Sequence, residues 1–117
     1  MGAQTIEGEN YQVNFQPESA TVEFIGSLRL SGPKEYAPIA EILSQLIEPA
    51  PSEVILDLSK LQFLNSSGIS MISKFVINLR KAKTISATVI GSQDIPWQGK
   101  SLKNLQKLLP GLRLDLR

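Results

Sequence analysis

The stretch Val54-Ile55-Leu56-Asp57-Leu58-Ser59-Lys60-Leu61-Gln62-Phe63-Leu64-Asn65-Ser66-Ser67-Gly68-Ile69 decides the fold. Val54 to Leu58 is nearly all apolar, as expected of a central strand covered on both faces, with Asp57 its one charged member. From Ile69 onward, Ile72, Phe75, Val76 and Leu79 recur at spacings of three and four, the stripe of an amphipathic helix, with Arg80 and Lys81 at its negative end. Asn65-Ser66-Ser67-Gly68 lies between the two and caps the helix, because a side-chain oxygen there can accept from a free N–H of the first turn. The same amides and the positive end of the helix dipole favour an anion, so a serine at this place is either a cap or a phosphate-bearing switch. Asp57 is expected to pair with backbone amides of the segment that follows it.

Working outward, Tyr11 to Phe15 alternates apolar and polar residues, and Thr21 to Ile25 does so again beyond the turn signal Pro17-Glu18-Ser19, which predicts a β-hairpin. Its second strand is expected to run on to Leu30, where Ser31-Gly32-Pro33 breaks it. Tyr36, Ile39, Ala40, Leu43, Leu46 and Ile47 form the apolar stripe of a helix over residues 35–48, ended by Pro49 and Pro51. Ile85 to Ile90 is a β-branched run. A loop with Pro96 and Trp97 then leads to a third helix carrying Leu102, Leu105, Leu108 and Leu109, stopped by Pro110-Gly111. Leu112, Leu114 and Leu116 suit a short last strand. The order β-β-α-β-α-β-α-β predicts an α/β sandwich: a mixed, mostly parallel sheet with an N-terminal hairpin and about three helices. Residues 1–9 are read as a flexible polar tail and residues 10–117 as one domain, since 117 residues leave no room for a second core.

Composition excludes several functions. The chain has no cysteine and no histidine, which removes disulfides, thiolate nucleophiles, the usual zinc sets and Ser-His-Asp hydrolases. Twelve basic against eleven acidic residues give no field for nucleic acid or anionic membrane. Lys100, Lys103 and Lys107 read as a solvated helix face. The start Met1 to Asn10 has neither the basic nor the apolar region of a secretory signal, Ile6 stands where a myristoylation motif needs Ser or Thr, and no run approaches the ~18 apolar residues of a membrane span. A cytoplasmic protein without metal or cofactor is expected, and no paired acid and base suggests an enzyme.

Residues 11–116 resemble the STAS domain, the fold of bacterial anti-sigma-factor antagonists and of the cytoplasmic tails of sulfate transporters. Residues 54–68 look like that family's strand, loop and Asp-Ser-Ser-Gly helix start, and Gly26-Ser27-Leu28-Arg29 resembles its Gly-x-Leu-Asp segment. The resemblance implies a non-enzymatic regulatory domain acting by partner exchange. Its partner would be an anti-sigma factor or a serine kinase of that type, and its phosphorylated residue, by position, Ser66. The partner surface it implies comprises Gly26, Ser27, Leu28, Arg29, Leu30, Asn65, Ser66, Ser67, Gly68 and Ile69, with Trp97 added as an interface anchor or a side chain folded over the core. Two acidic positions differ: Asn65 and Arg29 stand where the family has aspartate. Asn65 caps as well as aspartate does, and Arg29 could pair with a phosphate. A small-ligand or nucleotide sensor of the transporter type and a constitutive scaffold are the alternatives.

Overall fold

The computed structural model describes residues 2–117, which form six strands and three α-helices: β1 (Gln4–Glu7), β2 (Tyr11–Gln16), β3 (Thr21–Leu28), α1 (Gly32–Ile47), β4 (Glu53–Leu64), α2 (Ser66–Ala82), β5 (Ser86–Gly91), α3 (Pro96–Leu108) and β6 (Arg113–Leu116). One sheet contains all the strands in the order β1-β2-β3-β4-β5-β6. The first two pairings are antiparallel, and β3 through β6 are parallel. This is the expected α/β, STAS-like architecture.

Because each parallel strand lies beside its predecessor, crossovers of one hand place all three helices on one face of the sheet. The burial pattern agrees. Val22, Phe24, Leu56, Leu58, Ala87 and Val89 are buried under the helices, while their strand neighbours Glu23, Ile25, Ile55, Asp57, Thr88 and Ile90 are only partly covered. The expectation that β4 is covered on both faces is therefore corrected. Its apolar run reflects a two-layer build in which Ile55 still shields part of the open side. That side carries a polar ladder, with Thr5 Oγ1 and Gln12 Nε2 donating to Asn14 Oδ1, Asn14 Nδ2 donating to Glu23, and Glu23 paired to Lys60 at 3.6 Å.

Three boundaries differ from the sequence reading. The segment read as a tail contains β1, which pairs residue for residue with β2 from Gln4↔Phe15 to Glu7↔Gln12. Strand β3 ends at Leu28, and Ser31-Gly32-Pro33 begins α1 instead of merely breaking the strand. Pro96 and Trp97 are not in a loop: they are the first two residues of α3, where proline's fixed φ and missing N–H are no handicap.

The length of β4 is the feature that positions the site. Its buried residues are Val54, Leu56, Leu58, Leu61 and Leu64, so the spacing lengthens from two to three after Leu58. Register shifts against β3 between Glu23 and Ile25, and between Gly26 and Ser27, insert an extra β4 residue each time and return Leu61 and Leu64 to the core side. Asp57 Oδ1 accepts from the N–H and hydroxyl of Ser59 at the first bulge, the structural role expected of it. Opposite the second, Gly26 sits at φ +94°, where a Cβ would strike the Asn10 carbonyl oxygen and lie 3.1 Å from Tyr11 Cα.

Beyond Asp57↔Ile90 strand β4 has no pairing with β5, and carbonyls along that edge need donors. The first turn of α3 supplies them. Gln98, wholly buried, donates from Nε2 to Leu58 O at 2.7 Å and Leu61 O at 2.9 Å, and its Oε1 accepts from Ser92 N at 2.7 Å. Trp97 Nε1 donates to Gln62 O at 3.0 Å and more weakly to Leu61 O at 3.3 Å. Replacing Gln98 by Leu leaves these groups buried without partners, and we expect a loss of about 2–4 kcal/mol in urea unfolding; Trp97→Phe, which keeps most of the apolar contact, is expected to lose about 1 kcal/mol.

Candidate functional site

Asn65 joins three elements at the end of the sheet. Its backbone is extended, at φ −79° and ψ 175°, which lets the side chain fold back over the start of α2 and accept from Gly68 N at 3.0 Å. The same Oδ1 accepts from the phenol of Tyr36 on α1 at 2.7 Å, and Nδ2 donates to Leu30 O, past the end of β3, at 2.8 Å. The main chain contributes as well, with Asn65 N donating to Leu28 O at 3.2 Å and Asn65 O accepting from Ile69 N at 3.0 Å. An amide suits this place because it both accepts and donates. An aspartate here would set a carboxylate oxygen against the Leu30 carbonyl. The departure from the Asp-Ser-Ser-Gly pattern thus has a local physical reason.

Gly68 makes the arrangement possible. It is buried, and a Cβ there would run into Leu64 Cδ1 and lie 2.8 Å from the Tyr36 hydroxyl. Tyr36 is itself 1% exposed, and burial pushes its phenol above the ordinary value of 10.0. It is therefore neutral and a donor at physiological pH.

On this base the tetrad presents Ser66 to solvent and leaves Ser67 partly exposed. The first turn of α2 contains no acidic side chain, so its amides are not already neutralised. Arg29 lies at the same end of the sheet, since Leu28 O bonds Asn65 N. It is exposed, and its guanidinium rests 4.6 Å from the ring centroid of Phe63, a cation–π contact over a ring that is 38% exposed.

Of the residues expected at a partner surface, the structure brings Ser27, Arg29, Leu30, Asn65, Ser66, Ser67 and Ile69 to this end of the sheet with at least partial exposure. Two expectations are corrected. Leu28 is fully buried and Gly68 is buried beneath Tyr36 and Leu64, so neither offers a side chain to a partner; they hold the surface from below. Gly26 is partly exposed but is required by the bulge. Trp97 is half-buried against the core with its indole N–H in use, the folded-back alternative. Nothing in the sequence pattern marks Tyr36 or Gln98 as a joining residue or Phe63 as part of the surface beside Arg29. Phe63 shows only as the residue that breaks the inward spacing of Leu61 and Leu64. Lys100, Lys103 and Lys107 are exposed along α3, as expected of a solvated face.

No protein-family model matches the chain, and no curated protein matches it. Solved structures do. SiaC of Pseudomonas aeruginosa aligns with a TM-score of 0.77 at 12% identity, over 100% of this chain and 98% of that one. The same organism's SiaC in the apo form gives 0.75 at 10% identity, over 100% and 99%. A complex of the diguanylate cyclase SiaD with its activator SiaC, also from that organism, gives 0.75 at 11% identity, over 97% and 99%. At these identities the likeness is one of fold.

Two substitutions test the joint. Asn65→Asp is expected to lower stability by about 1–3 kcal/mol at pH 7. Its carboxyl, with one oxygen facing Leu30 O, would be disfavoured in the charged form and titrate above the usual range in the folded state, so the deficit should shrink as pH falls through that raised value, where the group becomes a donor, and level off below about 4. Tyr36→Phe is expected to lose about 1–2 kcal/mol at pH 8. Because the fold favours the neutral phenol, the wild type should lose stability as pH rises from 10 through the raised value, and the phenylalanine variant should lose less. Urea midpoints across pH 3–11 measure both.

Proposed function

We propose that this chain is a non-catalytic regulatory domain of the STAS type that docks a protein partner through the surface at the start of α2, with phosphorylation of Ser66 as its switch. The observation that carries the reading is the mounting of Ser66. It is an exposed hydroxyl at the first position of a long helix, at the end of the sheet that also carries the exposed Arg29, on a base fixed by the Asn65 bonds to Tyr36, Leu30 and Gly68. A phosphate there would bring about −1.5 to −2 charges to a surface otherwise without an acid in that turn, while the free amides and Arg29 would make it locally tolerable. Partner exchange follows from the change of surface charge, with no rearrangement of the fold.

The likeness to SiaC adds support at the level of class, since the SiaC in the solved complex is the activator of a diguanylate cyclase. By that analogy the partner is a signalling enzyme bound and controlled by this domain. The family resemblance in residues 54–68 points instead to an anti-sigma factor or serine kinase. Both are protein partners. One observation favours a second reading, a constitutive scaffold: Asn65 and Gly68 are wholly accounted for by capping and packing.

Pull-down of the wild type, Ser66→Ala and Ser66→Asp from extract of the source cells, with mass spectrometry of partners and phosphosites, separates the readings. A partner held by wild type and Ser66→Ala but released by Ser66→Asp, with phosphate on wild-type Ser66, is the expected result. Indifference to both substitutions together with an unmodified Ser66 leaves the scaffold.

A further inference from the structure

Between α1 and α2 runs an open groove of about 470 Å³. Its floor is apolar, made by Tyr36, Leu43 and Ile47 from α1 and by Met71 and Phe75 from α2. Its rims are low, because Ala40 and Ser44 on one helix and Ser67 and Ser70 on the other are small. The groove extends from Ser67 to Asn78, which at about 1.5 Å per residue is about 16 Å, or roughly three helical turns. Lys74 is the one charged side chain along it. Lys74 is exposed, and the ion pairs among the described residues, Glu23–Lys60 and Asp115–Arg117, leave it out.

We infer that this groove receives an amphipathic helix of a protein partner, about three turns long, with apolar residues at spacings of three and four on the docking face and a carboxylate opposite Lys74. The inference rests on the protein-binding reading above and names the chemistry of what binds. A strand is disfavoured because the walls are helices, which offer no free backbone edge; an extended peptide would leave its N–H and C=O groups unmatched, whereas a helix satisfies its own. A small polar ligand is disfavoured because the floor has no polar group to orient it. The Tyr36 hydroxyl is already given to Asn65, and no buried side-chain polar atom among the described residues lacks a partner. A second copy of the chain is disfavoured because the apolar stripes of its own helices are already buried in its core. The low rims allow a helix backbone to come close, and the lone cation selects an acidic one over a basic one.

Photo-crosslinking of the full chain tests this. A benzophenone amino acid is placed at Ser44 or Ser70, both exposed on the rims, and at Lys103 on α3 as a control. Irradiation is done in the source cells, and the attached peptide is sequenced by mass spectrometry. The expected product at Ser44 and Ser70, and not at Lys103, is a single segment with helical apolar spacing and an Asp or Glu on the same face. A synthetic peptide of that segment should then bind the wild type about fivefold more tightly than Lys74→Glu, and exchanging its acid for Lys should reverse the preference. Ser44→Trp, at an exposed position that leaves the core alone, should block binding without lowering the melting temperature. Attachment to a segment without helical spacing, to a second copy, to a small molecule, equally at Lys103, or to nothing overturns the inference. If Ser66→Asp releases a partner that never attaches at Ser44 or Ser70, the switch stands and the groove falls. If the attached helix is indifferent to Ser66, the groove stands and the switch falls.

Discussion

One uncharged side chain, that of Asn65, ties the segment just past β3, the first helix and the start of the second into a common corner. Each of its polar atoms is used, two bonds in and one out, at 2.7–3.0 Å. The corner requires a residue that donates and accepts, a tyrosine long enough to arrive from α1, and a position 68 without a Cβ. Removing any one leaves a polar group stranded or two atoms overlapping, so the three act as a unit and their contributions will not add. The path of β4 delivers Asn65 to this corner, and the path of β4 depends on its bulges.

The length of β4 poses a second constraint on its other edge. A strand of twelve residues outruns a neighbour of six, and the overhang has bonding groups on one side with nothing to meet. Gln98 and Trp97 close the gap from α3. The sheet end that carries Ser66 is consequently braced twice, by α1 through Tyr36 and by α3 through its first turn.

What the sequence made legible follows the range of the forces involved. The three helices and the parallel strands were readable because their apolar residues repeat with the period of the element, and the cap at Asn65 because capping is local. Strand β1 was not, since Gln4-Thr5-Ile6-Glu7 has one apolar residue and is ordered by pairing with β2. The end of β4 was not, because spacing of three from Leu58 to Leu64 interrupts the period of two. In the sequence Trp97 reads as part of a loop because Pro96 reads as a breaker, although at a first helical position proline is favourable. The partners of Asn65 lie 29 and 35 residues away, and no local pattern signals them. Reading Leu28 as surface failed for the converse reason: a motif fixes neighbours in sequence, whereas the bulge decides which of them points inward.

The two joints that hold the end of the sheet, at Asn65 and at Gln98, are both carboxamides. Ionic strength acts weakly on such bonds, because Debye screening works on net charge and an amide carries none. Salt can therefore weaken whatever Arg29, Lys74 or a modified Ser66 attracts while leaving the frame beneath them unchanged, so that electrostatic tuning of the surface and the stability of the domain are separable properties of the same few square nanometres.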